Sequence, residues 1–157
     1  MNNNNKIKFH KTLLHEAISI IKTPIIIALL VTTVRYILEL LGISENIIFI
    51  IGLLWLTLGF SIYWGIKLSD TKSPFILLLL CLAFFSPLSR IPVAILWWVD
   101  NKWKIGTHYG LYFNSFEQAL FNQIIYGSLI QLIPGFILGS ITIAIMQKQH
   151  NKKHKNG

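Results

Sequence analysis

Arg35 and Arg90 are cations set inside long apolar runs. A guanidinium in lipid costs about 3 kcal/mol or more, so each needs a partner, a route to water or a ligand. At 1.5 Å of rise per residue, Arg35 lies about 10 Å below the end of its run at Gly42. Glu39 is one turn further on and can pair with Arg35 on one helical face. Arg90 sits in the sequence FSPLSRIPV, where Pro87 and Pro92 each remove a backbone donor and crowd a carbonyl one turn back. A helix kinked or broken there leaves carbonyls for Ser86, Ser89 and Arg90 to satisfy. The two arginines fall at matched depth, with Glu39 the only acid deep in a span. One water-accessible pocket would relieve both, and it would suit a phosphate, a carboxylate or a lipid headgroup.

A second group of polar residues follows Arg90. The stretch WWVDNKWKIGTHYGLYFN, from Trp97 to Asn114, is too aromatic for a free loop. Trp and Tyr favour the headgroup layer, which predicts an anchored segment over the membrane surface. His108 and Asp100 can form an acid–base pair if the chain folds back, with Tyr109 and Tyr112 as nearby donors. Gly106 and Gly110 permit tight turns around them. Tyr126, with Gln123 and Gln131, is placed to line the same pocket. Ser115 can cap a short helix reaching Phe121, with Glu117 in its first turn. The expected ligand site is therefore Arg35, Glu39, Arg90, Tyr109, Tyr112 and Tyr126, with His108 and Asp100 as the catalytic candidates. No established catalytic motif accompanies them.

The elements that must carry these residues are apolar helices. Of 157 residues, 54% are hydrophobic and 13% charged, and mean hydropathy is +0.59. Charged residues make up about 25% of ordinary soluble domains. Continuous runs, rather than alternating ones, exclude a β-barrel. The reading is an all-α membrane protein in one integral domain, with four transmembrane helices at 18–42, 46–68, 73–98 and 123–146. Residues 1–17 read as a cytoplasmic, interfacial N-terminus. The stretch from Ile7 to Ile21 suits an amphipathic helix lying in the membrane interface, with Ile7, Leu14, Ile18 and Ile21, widened by Phe9 and Leu13, on its apolar face and Pro24 opening the first span. Residues 99–122 form the aromatic outer loop between helices 3 and 4, and 147–157 a flexible basic tail.

Charge sets the topology. Ten lysines flank one side of the spans and two the other, which places both termini in the cytoplasm and the protein in the cell (inner) membrane as a multi-pass chain. The net charge of +8 is thus a topology signal rather than a nucleic-acid footprint. Cys81, the only cysteine, excludes an intrachain disulfide and reads as a small buried hydrophobe. Metal and haem sites want clustered His, Cys or Met within the spans, and none is present, so no metal or cofactor is expected.

A weak repeat relates Asn46–Phe60 to Asn122–Phe136, with six of fifteen positions identical. It predicts two helical hairpins related by a pseudo-two-fold axis. Gly135 and Gly139 allow a helix to approach closely. The function expected is binding or transport of an anionic small molecule or lipid headgroup, with membrane lipid as a partner and a homodimer or larger complex as the assembly. The alternatives are a membrane-embedded hydrolase or transferase for an anionic or lipid-linked substrate, using His108 and Asp100, and an accessory subunit of a larger membrane complex.

Overall fold

The computed structural model describes residues 3–44, 47–48, 51–110 and 112–155. Most of them are helical, with no strand among them. In chain order the helices are α1 (Asn3–Leu40), α2 (Leu53–Leu68), α3 (Pro74–Trp103), α4 (Phe116–Asn122) and α5 (Ser128–Lys155). A single 3₁₀ turn, His108–Gly110, precedes α4, and a π-helical turn, Gln123–Gly127, joins α4 to α5.

Three stretches are long and apolar enough to cross a membrane: Lys11–Leu40, Pro74–Trp103 and Phe116–Lys152. The fourth expected span differs. Gly52 is extended (φ −103°, ψ 150°), so α2 starts at Leu53 and has 16 residues. That is about 24 Å, short of a hydrocarbon core of about 30 Å.

The separate interfacial helix at 1–17 is not formed, because α1 runs unbroken through Pro24, which lies in its interior rather than its first turn. The physical reason is a continuous buried stripe, Leu13, Ala17, Ile21, Pro24, Ala28 and Thr32, whose steps of three and four residues carry the same face from the N-terminal region into the span. Leu14 and Ile18, expected on the apolar face, point outward. Likewise α3 passes through Pro87 and Pro92 to Trp103, with no break. The tail expected to be flexible continues α5 to Lys155. There Gln147 Nε2 donates to Ser69 O at 3.2 Å, and His150 Nδ1 meets Asp70 Oδ1 at 2.7 Å.

Helix α3 is central. It packs along α1 on one side and α5 on the other, α5 packs along α2, and α1 barely meets α2. The repeat-based pseudo-symmetry therefore fails, since the α3–α5 contact has no counterpart between α1 and α2. Close approach of α2 and α5 rests on glycines. A Cβ on Gly65 would lie 2.8 Å from the Gly139 carbonyl, and one on Gly135 2.8 Å from Ser61 Oγ. Phe60, Trp64 and Phe85 form the aromatic centre, with all three pairs of ring centroids 5.6 Å apart. Trp64 and Cys81 are both fully buried.

Polarity is inverted relative to a water-soluble protein. Ile26, Leu30, Ile133 and Ile137 are more than half exposed, while Thr57, Ser61 and Gln131 are fully buried. The interior hydroxyls donate to carbonyls one turn back: Thr32 to Ala28 at 2.9 Å, Thr57 to Leu53 at 2.6 Å and Ser61 to Thr57 at 2.7 Å. Bonds of this kind satisfy those hydroxyls inside their own helices, whereas the Ser86, Ser128 and Ser140 hydroxyls are buried without a partner. The apolar exterior suits hydrocarbon.

Candidate functional site

The site lies at the end of the bundle where α1 stops. Gly42 adopts φ +76°, its N–H donates to Glu39 O at 2.9 Å, and Ile43 N donates to Leu38 O at 3.1 Å. This left-handed cap fixes the last turn of α1, which carries Glu39. Across from it α3 ends on Lys104, at φ 51°. Its Asp100, buried, accepts from Thr107 N at 3.0 Å and so folds the following segment back over the helix ends. Gly110 presses against the same carboxylate: a Cβ there would fall 2.1 Å from Asp100 Oδ2.

The returning segment closes a cavity of about 240 Å³. Arg35 from α1 and Arg90, Val93 and Trp97 from α3 form one part of its wall, and Gln123 lines it from the π-helical turn. The rest comes from His108, Tyr109, Tyr112 and Phe113. Liquid water occupies about 30 Å³ per molecule, so the space holds several waters or one phosphate- or carboxylate-sized group. Arg35 and Arg90 also both line a second cavity, of about 220 Å³, bounded by Leu53, Leu54, Trp55 and Ile130.

The two arginines are held differently. Arg90 Nη1 donates to Gln123 Oε1 at 3.3 Å. With the Gln131 amide turned so that both its ends are satisfied, its oxygen accepts from Arg90 Nε and Nη2 at 3.0 and 3.2 Å, and its nitrogen donates to Ser89 Oγ at 3.2 Å. Gly127 opens the π-helical turn to this side chain, since a Cβ there would sit 3.3 Å from Arg90 Nε. A π-helical turn widens the backbone spacing locally, and such turns recur at functional sites. Arg35 Nε is buried with no hydrogen-bond partner. Among the described residues no carboxylate is paired with either guanidinium.

Two expected pairs are replaced by one. Glu39 does not pair with Arg35, and His108 does not pair with Asp100. Instead His108 Nδ1 is bonded to Glu39 Oε2, while Asp100 is spent on the loop backbone, which needs a fixed acceptor there. Glu39 Oε1 is buried without a partner. Tyr109 packs edge-on against Tyr36 of α1, with centroids 5.8 Å apart, and its hydroxyl is buried and unpartnered. Burial pushes the Tyr109 phenol above its ordinary value.

The structure thus brings Arg35, Arg90, His108, Tyr109 and Tyr112 to one cavity, with Glu39 behind His108. It leaves Tyr126 outside: that ring is more than half exposed and sits edge-on to Phe121 at 6.1 Å. Trp97, read as part of an aromatic belt, is buried and lines the cavity, whereas Trp98 is exposed and packs on Trp103. Ser115 caps α4, accepting from Gln118 N at 3.2 Å. The π-helical turn escaped sequence reasoning, and Gly127 facing Arg90 is the only trace it leaves. Comparison with known proteins gives no match to a protein-family model, to a curated protein or to a solved structure.

Proposed function

We propose that this chain is a small multi-pass membrane protein that binds or translocates an anionic small molecule or lipid headgroup between Arg35 and Arg90. The observation that carries the reading is a charge imbalance. Two guanidiniums from different helices line one cavity, and no carboxylate among the described residues is paired with either. A buried cation without a counter-ion is costly, and an anion with several acceptor oxygens would relieve both at once. Tyr109 supplies an unused donor at the same wall. In this reading the chain crosses the membrane four times, both termini face the cytoplasm and the cavity opens on the opposite side. A cysteine placed at Asn114 in a Cys81→Ala background then reacts with an impermeant thiol reagent from outside, and one at Gln149 only after permeabilisation.

The direct test is titration of the purified protein with inorganic phosphate. Arg35→Gln and Arg90→Gln are each expected to weaken binding tenfold or more while leaving a monodisperse, helical protein. Unchanged affinity in both variants refutes the shared site.

A second reading rests on the His108–Glu39 bond, which has the form of a base held by an orienting carboxylate. It assigns a hydrolase or transferase on an anionic or lipid-linked substrate, with Glu39 in the place expected for Asp100. Loss of turnover with retained binding in His108→Asn distinguishes it from simple binding.

A further inference from the structure

We propose that the ligand is a phosphate-headed amphiphile whose head lies between Arg35 and Arg90 and whose tail leaves through the side of the bundle into a groove between α1 and α2. This deepens the anion-binding reading and rests on it. Three cavities in succession carry the argument. The cavity beside His108 and Tyr109 reaches the two arginines. The same two arginines line the second cavity, whose other walls are apolar: Leu53, Leu54, Trp55 and Ile130. Trp55 in turn borders a third, a groove of about 700 Å³.

That groove is lined by Ile20 and Ile27 of α1 and by Trp55, Gly59 and Phe60 of α2, with Lys67 at its far end. It exists because α1 barely meets α2. From Trp55 to Lys67 it follows about 18 Å of helix, the length scale of an acyl chain within one leaflet. Gly59 keeps its floor open, since nothing lies within 4 Å of where a Cβ would be. A free inorganic anion would need only the first chamber. An amphiphile uses the charge of the arginines and the apolar path that begins at them, so polarity changes along the path as it does along the molecule.

The test uses two probes, inorganic phosphate and 1-oleoyl-lysophosphatidate, titrated into the full chain in a zwitterionic detergent. Lysophosphatidate is expected to bind at least tenfold more tightly than phosphate. Gly59→Leu fills the groove without touching the arginines. It is expected to bring lysophosphatidate down to the affinity of phosphate and to leave phosphate binding unchanged, with thermal unfolding confirming an intact fold. Arg35→Gln is expected to weaken both probes tenfold or more. Equal affinity for the two probes, with Gly59→Leu affecting neither, overturns the tail path and leaves the anion site standing. Loss of lysophosphatidate binding in Lys67→Gln but not in the arginine variants places the head at the wrong end and overturns the proposal. So does a dimer that Gly59→Leu dissociates, which would put a second copy in the groove. If neither probe binds the native protein, the anion site itself falls, and this proposal with it.

Discussion

His108 Nδ1 and Glu39 Oε2 are bonded to each other, joining the 3₁₀ turn to the last turn of α1. That contact ties the segment closing the cavity to the helix that supplies Arg35. Removing His108 leaves a mostly buried carboxylate with both oxygens unpartnered, because Oε1 has none already. His108→Ala is expected to cost about 1–3 kcal/mol, discounted for the partial exposure of the imidazole. A double-mutant cycle with Glu39→Ala checks it: the double variant is expected to lose less stability than the sum of the singles. Strict additivity in thermal unfolding would show that the bond contributes nothing.

Arg35 and Arg90 predict opposite stability effects in the ligand-free protein. Arg90 is held by Gln123 and Gln131, so Arg90→Met strands two amides and is expected to destabilise by about 1–3 kcal/mol. Arg35 has a buried, unpartnered Nε beside a second cation. Replacing such a charge with an apolar side chain of similar length removes a desolvation cost that no partner offsets. Arg35→Met is therefore expected to melt no lower than the native protein while losing anion binding. A large drop in melting temperature would mean that Arg35 is a structural cation, and the ligand reading would lose its main support.

The arginines were legible in the sequence because charge inside an apolar run is expensive wherever the chain folds. Matched depth made a shared pocket possible, but only the packing of α1 along α3 brings Arg35 and Arg90 to one cavity. Their partners were not. Glu39 is equally well spaced for Arg35 within α1 and for a residue on a returning loop, and only the path of residues 104–110 decides between them. That path depends on a left-handed Lys104 and on Asp100 accepting from Thr107, neither of which has a composition signature. Helix ends failed for a related reason. Pro24, Pro87 and Pro92 are breakers by propensity, but packing along α3 and on its neighbours outweighs one lost backbone bond at each. Gly52 carries a weaker signal, yet there the helix begins late.

Tyr109 offers a pH test. Its phenol titrates above the ordinary value in the folded protein because burial disfavours the phenolate. The unfolded chain ionises first, near pH 10, so this stability contribution is complete below that pH and declines as pH rises toward the folded value. Tyr109→Phe removes the ionisation and is expected to flatten the alkaline limb of the stability profile above pH 10. Since the hydroxyl has no protein partner, stability at neutral pH is expected to stay level or rise, with anion affinity reduced by about tenfold, the value of one donor to a charged acceptor. Superimposable alkaline profiles for the two proteins would contradict the buried, neutral phenol.

Two glycines of α2, six residues apart, make a sharper contrast. At Gly59 a methyl group meets open space, so Gly59→Ala is expected to gain up to about 1 kcal/mol from helix propensity. At Gly65 the same methyl would lie 2.8 Å from the Gly139 carbonyl and 2.7 Å from Thr142 Cβ. Both are on the facing helix, and a backbone oxygen cannot turn aside. Gly65→Ala is expected to cost about 1–3 kcal/mol by forcing α2 from α5. Thermal unfolding of the pair decides it, and equal melting temperatures would mean that the two helices are not in the close register described.

Asp100 separates a structural acid from a chemical one. Its Oδ1 accepts from Thr107 N, and its Oδ2 lies where any side chain at position 110 would begin. An asparagine oxygen can take the same amide, so Asp100→Asn is expected to keep anion affinity within about twofold, since only a neutral acceptor is needed there. Asp100→Ala leaves a buried N–H without an acceptor and is expected to cost about 1–3 kcal/mol. Gly110→Ala must push the carboxylate off Thr107, so it should reproduce the Asp100→Ala phenotype without altering the acid. The three variants together form the check, read as melting temperature and phosphate affinity. Agreement between Gly110→Ala and Asp100→Ala, with Asp100→Asn near native, fixes Asp100 as the residue that folds the closing segment. Loss of ligand binding in Asp100→Asn at unchanged stability would instead put its charge in contact with the ligand and return it to the acid–base role that its sequence position first suggests.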